Sequence, residues 1–244
     1  MTTKTQVKDR LIVALDTSSE QEAIKLIEKL SEHVGYFKVG IELFCAVGPK
    51  IISIIKDKEN KVFFDGKFID IPNQVKGAVS NMVRHRVDML TLHMAGGIKM
   101  LTEAKKSLNE SAVLHNLQPP KLLGVSVLTS ITSDVLQNDL KVQGQIDEYV
   151  LHLAQLAFKN NLDGIVCSPN EAKLIRKATD KNFLIVTPGV RPNKSKSHDQ
   201  ERIATPKDAI ANGASHIVVG RPIAEASDPV DAAKKILEEI ESAI

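Results

Sequence analysis

The chain contains no tryptophan, and only 4% of its 244 residues are aromatic. Its charges almost cancel, because 32 lysine and arginine residues are offset by 30 aspartate and glutamate residues, which leaves a formal net charge of +2 at pH 7. A nucleic-acid-binding surface needs a basic patch, often with aromatic side chains on which bases can stack. The composition therefore argues against a nucleic-acid partner.

Cysteine is also scarce. Cys45 and Cys167 lie far apart in apolar runs, and no CxxC pair or Cys/His group has the spacing of a metal site. We expect two buried thiols in a reducing compartment. The polar start "MTTKTQVKDR" lacks the apolar core of a signal peptide, and no segment has 18 uninterrupted apolar residues. We therefore expect a soluble, cytoplasmic protein without a membrane partner.

Short apolar runs alternate along the chain with amphipathic stretches. The predicted strands are residues 11–15, 36–39, 62–64, 89–93, 122–128, 164–167, 183–186 and 216–219. Helix starts are indicated by Ser19 with Glu22, by Thr205 before a proline, and by Asp228 before another proline. Eight units of about 30 residues predict an α/β protein, a single-domain (β/α)₈ TIM barrel over residues 1–244. A doubly wound sheet would usually show a glycine-rich turn after its first strand, and "ALDTSSE" has none.

Charged residues follow the first three predicted strands. Asp16 ends the first strand, Lys38 lies in the second, and Asp65 and Lys67 follow the third. In a barrel of this kind the carboxyl ends of the strands form the active-site mouth. A single charge after a strand usually marks a chain entering water, but four charges on successive strand ends are costly unless acids and amines alternate. The pattern predicts an acid–amine cluster at the mouth.

Two loops in the other half of the barrel have the composition of a phosphate site. The seventh strand is followed by "TPGVRP", residues 187–192, and the eighth by "GRPIAEA", which begins with Gly220 and Arg221. Loops seven and eight of such barrels often bind phosphate through backbone N–H groups, and Arg221 would add a charge-assisted contact. The glycines could instead serve only as turn residues. The polar segment 193–206 is long enough to act as a lid.

The segment "DGKFIDIPN" resembles the signature of the orotidine 5′-monophosphate (OMP) decarboxylase family. Further pieces of that resemblance occur in order along the chain, and they are "ALD", "FKVGIELF", "VSVLTS", "TPGVRP", "DQERIATP" and "VVGRPI". The resemblance implies a carbon–carbon lyase that converts OMP to UMP in the last step of de novo pyrimidine biosynthesis. It also implies that the enzyme uses no metal and no cofactor, and that it is a homodimer.

The resemblance also implies roles for individual residues. Lys38, Asp65, Lys67 and Asp70 match the family's charged network, in which Lys67 is the proton donor and Asp70 reaches into the neighbouring subunit's site. Asp16 matches a ribose-binding residue, as does Lys38, and Thr129 matches a contact to the pyrimidine, although Ser130 is an alternative. The matches to phosphate-binding residues are Arg191, Gln200, Gly220 and Arg221.

The sequence departs from the family pattern at three positions. Gly66, Ile69 and Gln74 replace the usual Leu, His and Thr, and the last of these changes a ribose contact expected across the dimer interface. One alternative is a metal-dependent sugar-phosphate decarboxylase or aldolase of the same superfamily, such as a 3-keto-gulonate-phosphate decarboxylase, with Glu42 as a conceivable metal ligand. Another is a catalytically silent barrel that binds nucleotides, although such a protein would not need a costly charged cluster.

Overall fold

The structure is a computed structural model that describes residues 4–192 and 204–244. Within these ranges, eight parallel strands close into a barrel in chain order. The strands are β1 Leu11–Ala14, β2 Tyr36–Gly40, β3 Lys61–Phe68, β4 Met89–His93, β5 Lys121–Val125, β6 Gly164–Val166, β7 Leu184–Thr187 and β8 His216–Val219. The predicted (β/α)₈ barrel is confirmed.

Helices connect the strands and cover the outside of the barrel. They are α1 Lys4–Asp9, α2 Glu20–Leu30, α3 Ile41–Val47, α4 Lys50–Lys56, α5 Pro72–Arg84, α6 Gly97–Leu114, α7 Ile146–Lys159, α8 Pro169–Ala178, α9 Pro206–Ala211, α10 Arg221–Ala224 and α11 Pro229–Glu241. A 3₁₀ turn spans Met94–Gly96, and a π-helical turn spans Val135–Asp139. In the described part of the chain, no helix combines the length and apolar character needed to cross a membrane.

The predicted helix starts are confirmed by their capping hydrogen bonds. The Ser19 hydroxyl accepts the N–H of Glu22, and the Thr205 hydroxyl accepts the N–H of Asp208. Asp228 likewise caps α11. These side chains satisfy N–H groups that have no partner within the first helical turn.

Alternation along the strands divides the core into two layers. In β1, Ile12 and Ala14 belong to the cluster that fills the barrel interior, whereas Leu11 and Val13 belong to the cluster that includes Ile27 of α2. Successive side chains of a strand point to opposite faces, so both faces of this closed sheet are buried. Each fully buried aliphatic side chain of this kind contributes about 1.5–3 kcal/mol.

Four of the predicted strands are shifted by one residue at one or both ends, and three details differ more from the sequence-based expectations. Strand β3 is longer than residues 62–64 and includes Asp65 and Lys67, because a bulge allows it to continue alongside β4. Strand β5 ends at Val125 rather than at residue 128. The expectation for Cys45 was wrong: Cys167 is buried, but Cys45 is exposed because α3 is a short surface helix that buries only Leu43.

Candidate active site

A cavity of about 670 Å³ opens at the carboxyl ends of the strands. Its floor is apolar and consists of side chains from the barrel interior, including Phe63, Val125 and Val166. Its rim carries most of the residues proposed from the sequence, namely Asp16, Lys38, Asp65, Lys67, Thr129, Arg191, Gly220 and Arg221. The volume lies within the range of about 300–1,000 Å³ that is typical of small-molecule sites.

Four charged side chains form an alternating chain across one side of this cavity. The Lys38 ammonium lies 2.9 Å from Asp16 Oδ1 and 3.9 Å from Asp65 Oδ2. The Lys67 ammonium donates to Asp65 Oδ2 at 2.7 Å. The side chains of Lys38 and Asp65 are only 12% and 11% exposed, so each charge depends on its oppositely charged neighbours. The structure thus brings together the cluster that the strand ends predicted.

The backbone at Lys67 has an unusual conformation. Its φ is 48°, in the left-handed region, where a residue with a side chain is destabilised by roughly 1–2 kcal/mol. The pairing of β3 with β4 shifts at this point, from Phe64 opposite Leu90 to Phe68 opposite Leu92. Such bulges often occur beside active sites, where they redirect a side chain.

Thr91 of β4 supports this bulge and was not singled out from the sequence. Its hydroxyl accepts the backbone N–H of Lys67 at 2.9 Å and donates to Asp65 Oδ1 at 3.1 Å. The residue is completely buried. A threonine in an apolar strand is common, and the alternation of Thr91 with His93 indicated only that both side chains lie on the same face of the strand.

His93 lies at the end of the same strand. Burial lowers the pKa of His93, and the nearby positive charge of Lys67 lowers it further. Its Nδ1 accepts the backbone N–H of Ala95 at 3.2 Å, which requires that nitrogen to be unprotonated. A neutral His93 adds no second positive charge next to Lys67.

Two glycines keep the rim open at the Asp16–Lys38 pair. A Cβ at Gly40 would lie 3.2 Å from Lys38 Nζ, and one at Gly220 would lie 3.2 Å from Asp16 Oδ2. Either contact would press on the ion pair. Gly220 also precedes α10, which begins with Arg221, so the backbone here approaches the cavity closely.

Arg191 and Arg221 lie on the loops predicted to bind phosphate, and both line the cavity. The Arg191 loop is anchored by a parallel bridge between Val190 and Ala204, in which the Arg191 N–H donates to the Ala204 carbonyl at 3.0 Å. Thr129 lies in the turn after β5, on the same rim. Gln200, the proposed lid contact, lies outside the described residues.

Asp70 is the one described residue of the proposed site that does not line the cavity. It is exposed, and its carboxylate accepts the backbone N–H of Ile71 at 2.6 Å. Within the described ranges it forms no ion pair with Lys38 or Lys67. If Asp70 acts in catalysis, it therefore does not act at the cavity of its own chain in this arrangement.

Glu42 also lines the cavity and accepts a hydrogen bond from the Ser18 hydroxyl at 2.8 Å. Among residues 4–192 and 204–244, no group of three or more His, Cys, Asp or Glu side chains is arranged to hold a metal ion. The described part of the rim therefore offers amines and single carboxylates for interaction with a ligand.

The barrel, its carboxyl-end cavity and its acid–amine chain define a TIM-barrel enzyme with a charged cavity rim. A profile of the "Orotidine 5'-phosphate decarboxylase / HUMPS family" matches residues 9–236. The chain belongs to this family.

Curated relatives include the orotidine 5′-phosphate decarboxylase of Moorella thermoacetica, which is 45% identical over 96% of this chain and 93% of the relative. The enzyme of the same name from Nostoc sp. is 42% identical over 97% of this chain and 99% of the relative. Among solved structures, orotidine 5′-phosphate decarboxylase from Lactobacillus acidophilus matches with a TM-score of 0.84 and 39% identity, covering 95% of this chain and 99% of the other. The family description names two groups, and these relatives carry the name of the first, orotidine 5′-phosphate decarboxylase.

Proposed function

We propose that this protein decarboxylates OMP to UMP, the last step of de novo pyrimidine biosynthesis, in the cytoplasm and without a metal or cofactor. The observation that carries the proposal is the Lys67 ammonium, which is held 2.7 Å from Asp65 within an alternating charged chain at the cavity rim. Relatives named for this activity are 40–45% identical to almost the whole chain.

The chemistry needs a cation at C6 of the pyrimidine. As the bond between C6 and the carboxylate breaks, its electron pair stays on C6 and CO₂ leaves. A positioned ammonium stabilises that developing charge and then gives a proton to C6, and this is the role proposed for Lys67. Solvent restores the lysine proton. Asp65 orients the amine, and it would lie near the substrate carboxylate, whose departure relieves the repulsion between the two anions.

The rest of the cavity would hold the nucleotide. The Asp16–Lys38 pair would bind the ribose hydroxyls, and Thr129, with Ser130 beside it, would hydrogen-bond the pyrimidine. All four residues line the cavity, which supports these roles. Arg191, Arg221 and the backbone at Gly220 would bind the phosphate, and Gln200 would contribute from the segment outside the described residues. Binding energy from this remote phosphate can be used to position C6 against Lys67.

A turnover assay tests this function. Purified protein is mixed with OMP, and the loss of OMP absorbance is followed with and without EDTA. We expect equal rates under both conditions, because no step uses a metal. Lys67→Ala should lower kcat more than about 100-fold, since general acid catalysis contributes about 10²–10⁴-fold, whereas Lys58→Ala, at an exposed lysine outside the cavity lining, should not change it.

Three outcomes would contradict the proposal. If wild-type protein does not consume OMP, the decarboxylase assignment fails. If EDTA abolishes turnover, the metal-dependent alternative gains support, with Glu42 as the first residue to mutate. A Lys67→Ala enzyme that retains more than about a tenth of wild-type kcat, a loss below about 1.4 kcal/mol, would remove Lys67 from the proton-donor role.

We further propose that the active enzyme is a homodimer in which Asp70 completes the partner's site. Asp70 is exposed and lies outside its own cavity lining. Its neighbours Ile69 and Ile71 are 53% and 64% exposed, which leaves apolar side chains on both sides of the carboxylate. Burial of these isoleucines against a second subunit would be favourable and would bring Asp70 to the other rim.

Mixing two inactive variants tests the shared site. Lys67→Ala and Asp70→Ala homodimers should each be inactive, but a hybrid of the two contains one intact Lys67 site supplied with an intact Asp70. After complete subunit exchange at equal amounts, about a quarter of all sites should be intact. No recovery of activity, with hybrid formation verified by native mass spectrometry, would show that Asp70 does not act across an interface.

A further inference from the structure

We propose that Thr91 is a positioning residue for catalysis: its hydroxyl fixes the Lys67 backbone and the Asp65 carboxylate at the same time. The inference deepens the proposed decarboxylation and rests on it. Thr91 lies on β4 beneath the charged rim, and its side chain is not part of the cavity lining.

One hydroxyl makes both contacts. Thr91 Oγ1 lies 2.9 Å from the Lys67 backbone nitrogen and 3.1 Å from Asp65 Oδ1. A threonine hydroxyl has a single proton and two acceptor lone pairs, so it can donate to the carboxylate while it accepts the N–H. The second oxygen of Asp65 accepts the Lys67 ammonium at 2.7 Å. The three residues therefore form a closed ring of hydrogen bonds.

The bulge in β3 explains why this ring needs Thr91. Between the paired positions Phe64–Leu90 and Phe68–Leu92, three residues of β3 lie opposite a single residue of β4, which is Thr91. The backbone of Lys67, with φ of 48°, has left the regular ladder, and its N–H turns to the Thr91 side chain instead. A strained conformation persists when its surroundings hold it in place. The hydroxyl provides that constraint from a completely buried position.

Removal of the hydroxyl would affect both the backbone N–H of Lys67, which it accepts, and the side-chain ammonium of Lys67, which Asp65 holds. Thr91→Val keeps the shape of the side chain, but it leaves the Lys67 N–H and Asp65 Oδ1 without this partner. The ammonium of Lys67 would then lose its fixed position relative to C6. Misplacement of a reacting group by about 1 Å can cost about 100-fold in rate.

The test compares four proteins: wild type, Thr91→Val, Thr91→Ser and the control Thr179→Val. Thr179 also donates a hydroxyl hydrogen bond, to the Ile175 carbonyl at the end of α8, away from the cavity lining. We expect Thr91→Val to lower kcat by about 10- to 100-fold with less than about a threefold change in KM. Thr91→Ser should recover most of the loss, and Thr179→Val should match wild type.

A merely structural role predicts a different result. In that case Thr91→Val would lower the melting temperature but leave kcat per folded enzyme within about twofold of wild type, and this would overturn the inference. It would also be overturned if Thr91→Ser were as slow as Thr91→Val, because the hydroxyl would then not be the active feature. If the valine variant does not fold, Thr91→Ala replaces it, since a smaller side chain cannot clash.

Hydrogen exchange provides a readout that does not depend on activity. The Lys67 amide should exchange slowly in wild type and in Thr91→Ser, and faster in Thr91→Val, while the amides of β1 remain unchanged. Equal exchange in all variants would refute the positioning role even if the wild-type protein did not consume OMP. Inactive wild-type protein with the expected exchange pattern would refute the proposed function instead.

Discussion

The half-buried histidine at the amino-terminal end of the barrel should make the stability of this protein pH-dependent. His216 begins β8, its ring packs edge-on against Tyr36 with centroids 5.7 Å apart, and its Nδ1 is buried without a hydrogen-bond partner in the described part of the chain. Burial lowers the pKa of His216 from 6.5 to about 4, and the positive charges of Arg10 and Lys61 act in the same direction, against the opposing effect of Asp9.

The size of the effect follows from the two pKa values. Above about pH 6.5 the ring is neutral in both the folded and the unfolded chain, so it does not alter the free energy of unfolding. Between pH 6.5 and 4 the unfolded chain binds a proton that the folded chain does not, and the folded state loses about 1.4 kcal/mol per pH unit. Lowering the pH from 7.5 to 5 should therefore cost about 2 kcal/mol through His216 alone.

Denaturant unfolding of wild type and His216→Leu at pH 7.5 and pH 5 isolates the contribution of His216 to the free energy of unfolding. Other titrating groups affect both proteins equally, so the variant should lose about 2 kcal/mol less stability than wild type over the interval. Tyr36→Phe serves as the control, because it keeps both the histidine and the ring contact, and it should show the wild-type dependence. The same loss in wild type and His216→Leu, within about 0.5 kcal/mol, would refute the reasoning.

Two further changes test the site. Gly66→Ala should destabilise the protein by about 1–3 kcal/mol, because the new Cβ would lie 2.4 Å from the Phe64 ring. Denaturant unfolding should show that adding Phe64→Leu restores part of the lost stability. Equal stability of Gly66→Ala and wild type would contradict the steric explanation. Arg221→Ala should lower kcat/KM for OMP by about 10- to 100-fold, mainly through KM, because one charge-assisted contact is worth about 1.5–3 kcal/mol; an unchanged kcat/KM in steady-state assays would exclude Arg221 from the site.

Gly66 shows how a departure from the family pattern acquires a physical reason in the structure. From the sequence, glycine in place of the usual leucine was only a variation next to the charged positions. In the fold, Phe64 packs against Phe44 and Phe68, with ring centroids 4.9 and 5.5 Å apart, and its ring occupies the space that a side chain at position 66 would need. The glycine is therefore matched to this aromatic cluster.

The architecture and the charged rim could be predicted from the sequence by itself. Strands of this barrel are buried on both faces, so each forms a short apolar run that is visible in the sequence. In a closed parallel sheet all carboxyl ends meet at one mouth, so Asp16, Lys38, Asp65 and Lys67 had to be neighbours once the fold was assigned. The strand order thus determined their proximity, and charge balance required them to alternate.

Only the tertiary structure decided how these charges are held. The bulge at Lys67 and its support by Thr91 depend on the register between β3 and β4, and register is a long-range property that periodicity along one strand does not contain. The same applies to Cys45, which is exposed because of the packing of one short helix, and to Asp70, which is exposed and does not line the cavity of its own chain. Local pattern determines which residues reach the mouth of the barrel, and three-dimensional packing determines which partners each of them meets there.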